Sequence, residues 1–412
     1  MNILFLTMNT FTGIDMHNIY SDLMQQFIAN GHRPYIVTPR EKKLGESTEL
    51  VDYDRYSILK VQIGNTSGVG LIEKGISTVT LSGKYYAAVK KYLGKLPFGL
   101  MLYSTPPITL AQPVKKLKRL FGCPTYLMLK DIFPQNAVDL GMFSANNPIY
   151  KYFAAQERML YSQSDRIGCM SAANIEFLKK NHPQIPVQKI GICPNGIIPS
   201  APVDRTEEKY ALREKYGIPD DAVVYLYGGN LGKPQAIDHL VACLKANQNK
   251  QNCYFIVCGS GSEFSLLEQY VEEQKPDNVA LLSFLPKTEY DALVRGCDVG
   301  LIFLDKRFTI PNYPSRILSY MEYSMPVIAC TDKSTDVGID AQENGYGLWC
   351  ESRDPADFAA CVDHMHTMDL TAMGNAAREY LEKHFTAQIV YEKIWEQINY
   401  ECCKNKELAV KK

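Results

Sequence analysis

A chain of 412 residues, 46% of them hydrophobic, has the length for two ordinary domains, each with its own core. Its formal net charge of -1 argues against wholesale nucleic-acid binding and leaves only local basic faces. The 12 cysteines contain no Cys-x-x-Cys pair and the seven histidines are scattered. That speaks against a disulfide framework or a metal site and fits free thiols in a reducing compartment.

The chain opens with an apolar stretch at 2–7 that reads as a buried strand. It is too short for a signal peptide and lacks a basic flank. No later apolar run is long enough to span a bilayer, so a soluble cytoplasmic protein is expected. A loop at 8–15 containing Gly13, an amphipathic helix at 16–30 and a strand at 33–38 make a βαβ unit. With one glycine the loop is not Gly-x-Gly-x-x-Gly, which weakens a dinucleotide oxidoreductase. His17 begins the helix, where it either reaches a substrate or is simply solvated. Strands are expected at 57–63 and 99–104, the second followed by Thr105-Pro106-Pro107. Two basic helices are expected, one at 84–95 with Lys84, Lys90, Lys91 and Lys95. The other, at 111–121, carries Lys115, Lys116, Lys118 and Arg119, interleaved with Val114, Leu117 and Leu120. Either they lie on an anionic membrane surface or they present solvated faces.

A strand at 125–129 leads into Lys130-Asp131-Ile132-Phe133-Pro134. Asp131 then sits at the carboxyl end of a parallel strand, the edge where open α/β sheets place ligands, unless it caps the helix after Pro134. A helix at 147–164, a short strand at 165–171, a helix at 172–181 capped by Ser171, and a strand at 187–192 follow. They end in the turn Pro194-Asn195-Gly196 and a linker at 197–204.

After a polar helix at 206–216 the pattern restarts with a strand at 223–227, then Gly228-Gly229-Asn230-Leu231-Gly232-Lys233-Pro234-Gln235, then a helix at 236–246. Three glycines and a lysine there either let a diphosphate approach backbone N–H groups or serve a plain turn, and the spacing is not that of a P-loop. A strand at 253–258, Gly259-Ser260-Gly261, a helix at 264–273, a strand at 279–283, a helix at 288–295 and a strand at 299–303 come next. In the stretch from Pro311 to Ala329, Pro314 stops what precedes it and Ser315 can cap a helix beginning at Arg316. Pro326 ends that helix, and Val327-Ile328-Ala329-Cys330 reads as a buried parallel strand. An arginine at a helix N-terminus either holds a phosphate or belongs to an ordinary capped helix. Helices at 355–368, 370–385 and 387–400 and a charged tail close the chain.

The ordered set Pro194-Asn195-Gly196, Gly228-Gly229-Asn230, Gly259-Ser260-Gly261 and Pro314-Ser315-Arg316, followed by Ser324-Met325-Pro326-Val327, resembles the family 4 glycosyltransferases. The likeness is greatest to those of bacterial O-antigen, capsule and exopolysaccharide assembly, and it covers nearly the whole chain. It implies the α/β GT-B fold: two Rossmann-like domains facing a cleft, an acceptor domain at 1–198 and a nucleotide-sugar donor domain at 199–385, with the segment 386–412 crossing back to the first. The implied reaction is retaining and metal-independent and needs no cofactor. A sugar moves from a nucleotide-sugar, UDP-sugar favoured, to a saccharide acceptor for which a polyprenyl-diphosphate-linked form is the candidate. Peripheral membrane contact through the two basic helices would suit such an acceptor. By position, Asp131 orients or deprotonates the acceptor hydroxyl, with Gly13 and His17 on the acceptor side. Lys233 and Arg316 stabilise the diphosphate, and Gly229, Asn230, Gly232, Gly261, Pro314, Ser315 and Ser319 belong to the donor site. Two departures stand out. Asn230 and Gln235 stand where many members carry Arg and Lys, and Pro311 and Ser319 stand at the places of two Glu residues, the second of which binds the ribose. The loss of both Glu positions keeps a catalytically silent partner subunit open, and a non-transferring enzyme such as a nucleotide-sugar 2-epimerase is the other alternative.

Overall fold

The computed structural model describes residues 1–66 and 68–410. It divides into two compact units, Met1–Ile198 with Thr386–Lys412, and Pro199–Phe385.

The first unit runs β1 (Asn2–Leu6), α1 (Ile19–Ala29), β2 (Arg33–Glu41), β3 (Glu49–Asp52), β4 (Ser57–Ile63), α2 (Leu71–Leu93), β5 (Leu100–Ser104), α3 (Ala111–Phe121) and β6 (Thr125–Leu129). It continues through α4 (Gln135–Asp139), α5 (Pro148–Gln163), β7 (Arg166–Cys169), α6 (Ala172–Asn181) and β8 (Ile190–Ile192). The strands form one sheet in the order β3-β4-β2-β1-β5-β6-β7-β8, parallel except for the β3–β4 pair. β1, β5 and β6 are near-continuous apolar runs because helices cover both faces of a parallel sheet.

Three expectations are corrected in this unit. The first helix starts at Ile19 rather than at residue 16, because Asn18 caps it. The Asn18 side chain accepts from the N–H groups of Tyr20 and Ser21, and the Ser21 hydroxyl accepts from the N–H of Asn18. His17 therefore precedes the helix, exposed and with φ +48°. The strand expected at 187–192 is a 3-10 turn over Val187–Lys189 followed by the short β8. The basic stretch at 84–95 belongs to the longer α2, and its Tyr85, Val89 and Leu93, like Val114 and Leu117 of α3, are buried in the core. Most of their apolar sides are thus spoken for; among the described residues of α2 and α3, Val79 and Leu120 are left outward, at 60% and 40% exposure. Lys118 is tied to Asp165 at 2.7 Å, and Lys116 lies over the Tyr86 ring.

The second unit runs α7 (Thr206–Tyr216), β9 (Val223–Asn230), α8 (Ile237–Asn247), β10 (Cys253–Ser260), α9 (Phe264–Gln274), β11 (Val279–Leu282), α10 (Lys287–Gly296) and β12 (Val299–Phe303). Then come α11 (Arg316–Glu322), β13 (Val327–Thr331), α12 (Val337–Glu343), β14 (Gly347–Glu351), α13 (Pro355–His366) and α14 (Leu370–His384). Its sheet is wholly parallel, in the order β11-β10-β9-β12-β13-β14. One face packs Tyr225, Phe255, Phe303, Ile328 and Cys330 against α8 and α13.

The last helix, α15 (Ala387–Val410), belongs to the first unit, and runs past the 400 expected from the sequence. Val390, Tyr391, Ile394 and Ile398 join Phe5, Phe27 and Ile36 in one buried cluster, and Arg166 Nε donates to the Gln397 carbonyl at 2.7 Å. Two Rossmann-like units with a final helix returning to the first are the GT-B architecture. No helix among the described residues is long and apolar enough to cross a membrane.

Candidate functional site

In the second unit the chain lays down β9, β10 and β11 to one side, then returns to place β12, β13 and β14 on the other. The reversal falls between β9 and β12. Open parallel sheets bind ligands at such a switch point, outside the carboxyl ends of the strands. What lies there is Gly228-Gly229-Asn230, the end of β9, and Arg316, which the segment after β12 delivers as the first residue of α11.

Gly229 has φ +121°, a backbone conformation that favours glycine, and it is exposed. A Cβ there would stand 3.5 Å from Cζ of Arg316, so the guanidinium lies against bare backbone. The guanidinium stacks on the Tyr227 ring, 4.5 Å from its centroid. Its Nη1 is buried with no hydrogen-bond partner, and among the described residues Arg316 forms no ion pair. An unanswered buried cation is costly unless an anion arrives. The neighbouring strand is held rigidly: the Gly228 N–H donates to Tyr320 Oη at 3.1 Å, and Tyr320 Oη donates to the Leu226 carbonyl at 3.2 Å. Gly259 pairs with Gly229 across the ladder, and a Cβ on Gly259 would overlap the Gly229 carbonyl oxygen. Gly261 likewise abuts the backbone of Leu231.

The remaining candidates divide. Lys233 is exposed, opens a 3-10 turn over Lys233–Gln235 and has no ion pair among the described residues. Asn230 Nδ2 donates to Gln235 Oε1 at 2.8 Å, and the Gly232 N–H reaches the same oxygen at 3.3 Å. These two amides satisfy each other and bring no charge. Ser315 does not cap α11, contrary to expectation. It is already helical, at φ -65° and ψ -17°, and its side chain makes no capping hydrogen bond. The N–H groups of Ile317 and Leu318 are instead taken by the Pro314 and Ser315 carbonyls. Ser319 is half-buried one turn beyond Arg316, and Pro311 is buried. Glu322 is occupied elsewhere, accepting from the Ser200 N–H at 2.9 Å.

In the first unit the corresponding reversal lies between β1 and β5. The loop after β1 holds Gly13 and His17. Asp131 follows β6, two strands away, or about 10 Å at sheet spacing. Thr105 Oγ1 accepts from the N–H groups of Lys130 at 3.0 Å and Asp131 at 3.2 Å, tying the ends of β5 and β6 together. Asp131 is not the cap of α4; Pro134 occupies that place. Both Asp131 oxygens accept from Asn136 Nδ2, at 3.0 and 3.1 Å, and burial pushes the carboxyl up to about 6. The adjacent Lys130 is turned inward and donates to the Cys193 and Pro194 carbonyls at 3.3 and 3.0 Å, so it anchors the Pro194-Asn195-Gly196 turn. Nothing crowds Gly13, and packing does not demand a glycine there.

Several residues escaped the sequence reading. A cavity of 460 Å³ beside the β1 loop is lined by Thr10, Phe11, Thr12, Arg40 and Lys60. Arg40 is itself buried and paired with Glu46 and Glu49 at 2.9 and 2.6 Å. Asp332, just past β13, accepts from the N–H groups of Ser334 and Thr335, and burial pushes it up to about 6. An aspartate directly after a buried parallel strand was the available signal.

Residues 208–381, nearly all of the second unit, match the family model described as glycosyl transferases group 1. The chain is a glycosyltransferase, and its second unit carries the group 1 match. The transferase is 23% identical over 300 residues to the "Probable glycosyltransferase WbjE" of Pseudomonas aeruginosa, covering 71% of this chain and 72% of that one. Among solved structures, the sucrose-phosphate synthase of Thermosynechococcus elongatus superposes with a TM-score of 0.76 at 14% identity, over 98% of this chain and 100% of that one. WaaG, a glycosyltransferase involved in lipopolysaccharide biosynthesis, gives 0.62 at 15% identity, over 95% and 98%. The Anabaena protein Alr3699/HepE, in complex with UDP and glucose, gives 0.67 at 15% identity, over 97% and 100%. At these identities the structural likeness establishes the fold of the transferase, and the family match its chemistry class.

Proposed function

We propose that the transferase moves a sugar from a nucleotide-sugar, UDP-sugar favoured, to a saccharide acceptor in bacterial surface polysaccharide assembly. The second unit holds the donor and the first the acceptor. One observation carries this reading: Arg316, a cation without a counter-ion among the described residues, lies against the bare backbone of Gly229 at the switch point of the second sheet. A diphosphate is the anion that such a place suits.

The chemistry follows from charge. The bond from the anomeric carbon to the diphosphate oxygen breaks, the bond to the acceptor oxygen forms, and the diphosphate leaves with the electron pair. Arg316 meets that growing negative charge from a fixed position, which lowers the barrier without reorganisation. Lys233, exposed and without an ion pair among the described residues, adds a second cation in place of the Arg and Lys that Asn230 and Gln235 replace. Asp131, with its carboxyl poised near 6, orients the acceptor hydroxyl and takes its proton. Retention at the anomeric carbon is the outcome the resemblance implies. The UDP preference leans on the UDP in the Anabaena structure, and the polysaccharide setting on the lipopolysaccharide role of WaaG. A lipid-linked acceptor would bring the exposed Lys90, Lys91, Lys116 and Arg119 of α2 and α3 to an anionic membrane by charge alone, since their apolar neighbours are in the core.

A thermal-shift panel of UDP, GDP, ADP and their sugars tests the reading, because ligand binding to the folded state raises the midpoint. A rise with the uridine set supports it, and no rise with any nucleotide overturns it. Free UDP with an epimerised sugar, and no product with any acceptor, would place the protein with the non-transferring enzymes instead.

A further inference from the structure

The second unit carries a cluster of soft ligands that sugar transfer does not use. His239 and Cys243 lie one turn apart on the same face of α8. Cys330 comes from β13. The ligand atoms of these three residues all lie within 4.8 Å of one another. Two metal–sulfur bonds of about 2.3 Å at a tetrahedral angle put their sulfurs about 3.8 Å apart, so modest side-chain rotations would close the set. His239 Nε2 is buried and has no hydrogen-bond partner. Cys350 is the ladder partner of Cys330 on β14. An ion has a way in: His239 lines an open cavity of 480 Å³ with Asp238, Asp305, Arg307 and Ser352.

We infer that His239, Cys243 and Cys330 bind one thiolate-preferring metal ion, Zn(II) or Cu(I), with Cys350 as the fourth ligand. Binding releases the thiol protons and leaves the metal's oxidation state unchanged. The ion joins α8, which begins just after the Asn230–Gln235 loop, to the two strands beneath it. Such a site braces the loop.

The test uses the full-length protein reduced with a phosphine. Titration with Co(II) reads thiolate ligation directly, through a sulfur-to-metal charge-transfer band and tetrahedral ligand-field bands that Zn(II) then displaces. One equivalent per chain is expected, and competition against a chromophoric Cu(I) chelator reads the Cu(I) arm. His239→Ala, at the cavity wall, should weaken binding at least about tenfold, and Cys330→Ser should lower the charge-transfer intensity by the share of one thiolate or more. Thermal unfolding verifies that each variant folds, and His239→Ala keeps the test open should Cys330→Ser not fold. Absence of the band at saturating Co(II), together with no retained Cu(I), overturns the inference and leaves buried thiols packed in a core. Bands unchanged in both variants overturn it as well, by assigning the ion to other cysteines.

Discussion

Arg316 and Asp131 are opposite solutions to burying charge. Arg316 keeps its charge by stacking on Tyr227 and has no carboxylate partner among the described residues. Replacing Arg316 with Ala should lower kcat/KM by about 10²–10³-fold, the scale of losing one fixed stabiliser of transition-state charge. The same change should leave the melting temperature unchanged or slightly higher, because it removes an unanswered buried donor rather than a pair. A large drop in melting temperature would show that the arginine is structural. Asp131 surrenders charge more readily, with its carboxyl raised to about 6 by burial. As pH falls through that value the carboxyl gains its proton and can no longer accept one. The kcat/KM profile should therefore decline below about pH 6, and Asp131→Asn should flatten that acid limb while costing about 10²–10⁴ in rate. A wild-type profile without the limb would remove Asp131 from proton transfer.

Among the elements, the meeting of the β9 and β10 ends sets the shape of the donor loop. The two glycines there are backbone against backbone, so Gly259→Ala should push the Gly229 carbonyl aside. We expect a loss of about 1–3 kcal/mol, measured by denaturant unfolding, and weaker nucleotide binding by thermal shift. How well the chain announces its elements depends on which signal they rest on. β1, β9 and β12 are apolar runs buried on both faces, and they were legible. β3 was not, because Glu49 and Asp52 flank only two apolar residues on an edge that needs no buried face. β14 and α12 were missed for a related reason: Gly345 and Asn344 mark a turn, while the strand after them is only partly buried. The start of α1 was misplaced because the pairing of Asn18 with Ser21, not the apolar period, fixes it. In the site, the glycines and Arg316 were readable from their order, whereas Ser315 looked like a cap until its backbone proved already helical. Asp332 and the His239–Cys243–Cys330 cluster gain meaning only from burial and from contacts between distant segments, which no local pattern encodes.

At the scale of the whole molecule, four carboxyls among the described residues are raised by burial: Asp131 and Glu157 in the first unit, to about 6 and about 7, and Asp332 and Asp340 in the second, both to about 6. The folded state keeps protons on these groups that the unfolded chain gives up from about pH 4, so their contribution to stability falls as pH rises from about 4 to about 7. His32 and His182, lowered by burial, act in the other direction below about pH 6.5, as do the lowered Cys243 and Cys350 thiols of the second unit at higher pH. In the first unit, where the carboxyls raised are Asp131 and Glu157, the melting temperature should be higher at about pH 6.5 than at about pH 8. A rise between those values would contradict the buried carboxyls as drawn here. The return of α15 to the first unit bears on something else, the order of events during synthesis. Domains ordinarily complete in the order the ribosome delivers them, N-terminal first. Here the hydrophobic groove that receives Val390, Tyr391, Ile394 and Ile398 stays open until the second unit has been made. The first unit to emerge is thus the last to be finished, and a nascent chain stalled before α15 presents a sticky seam to chaperones.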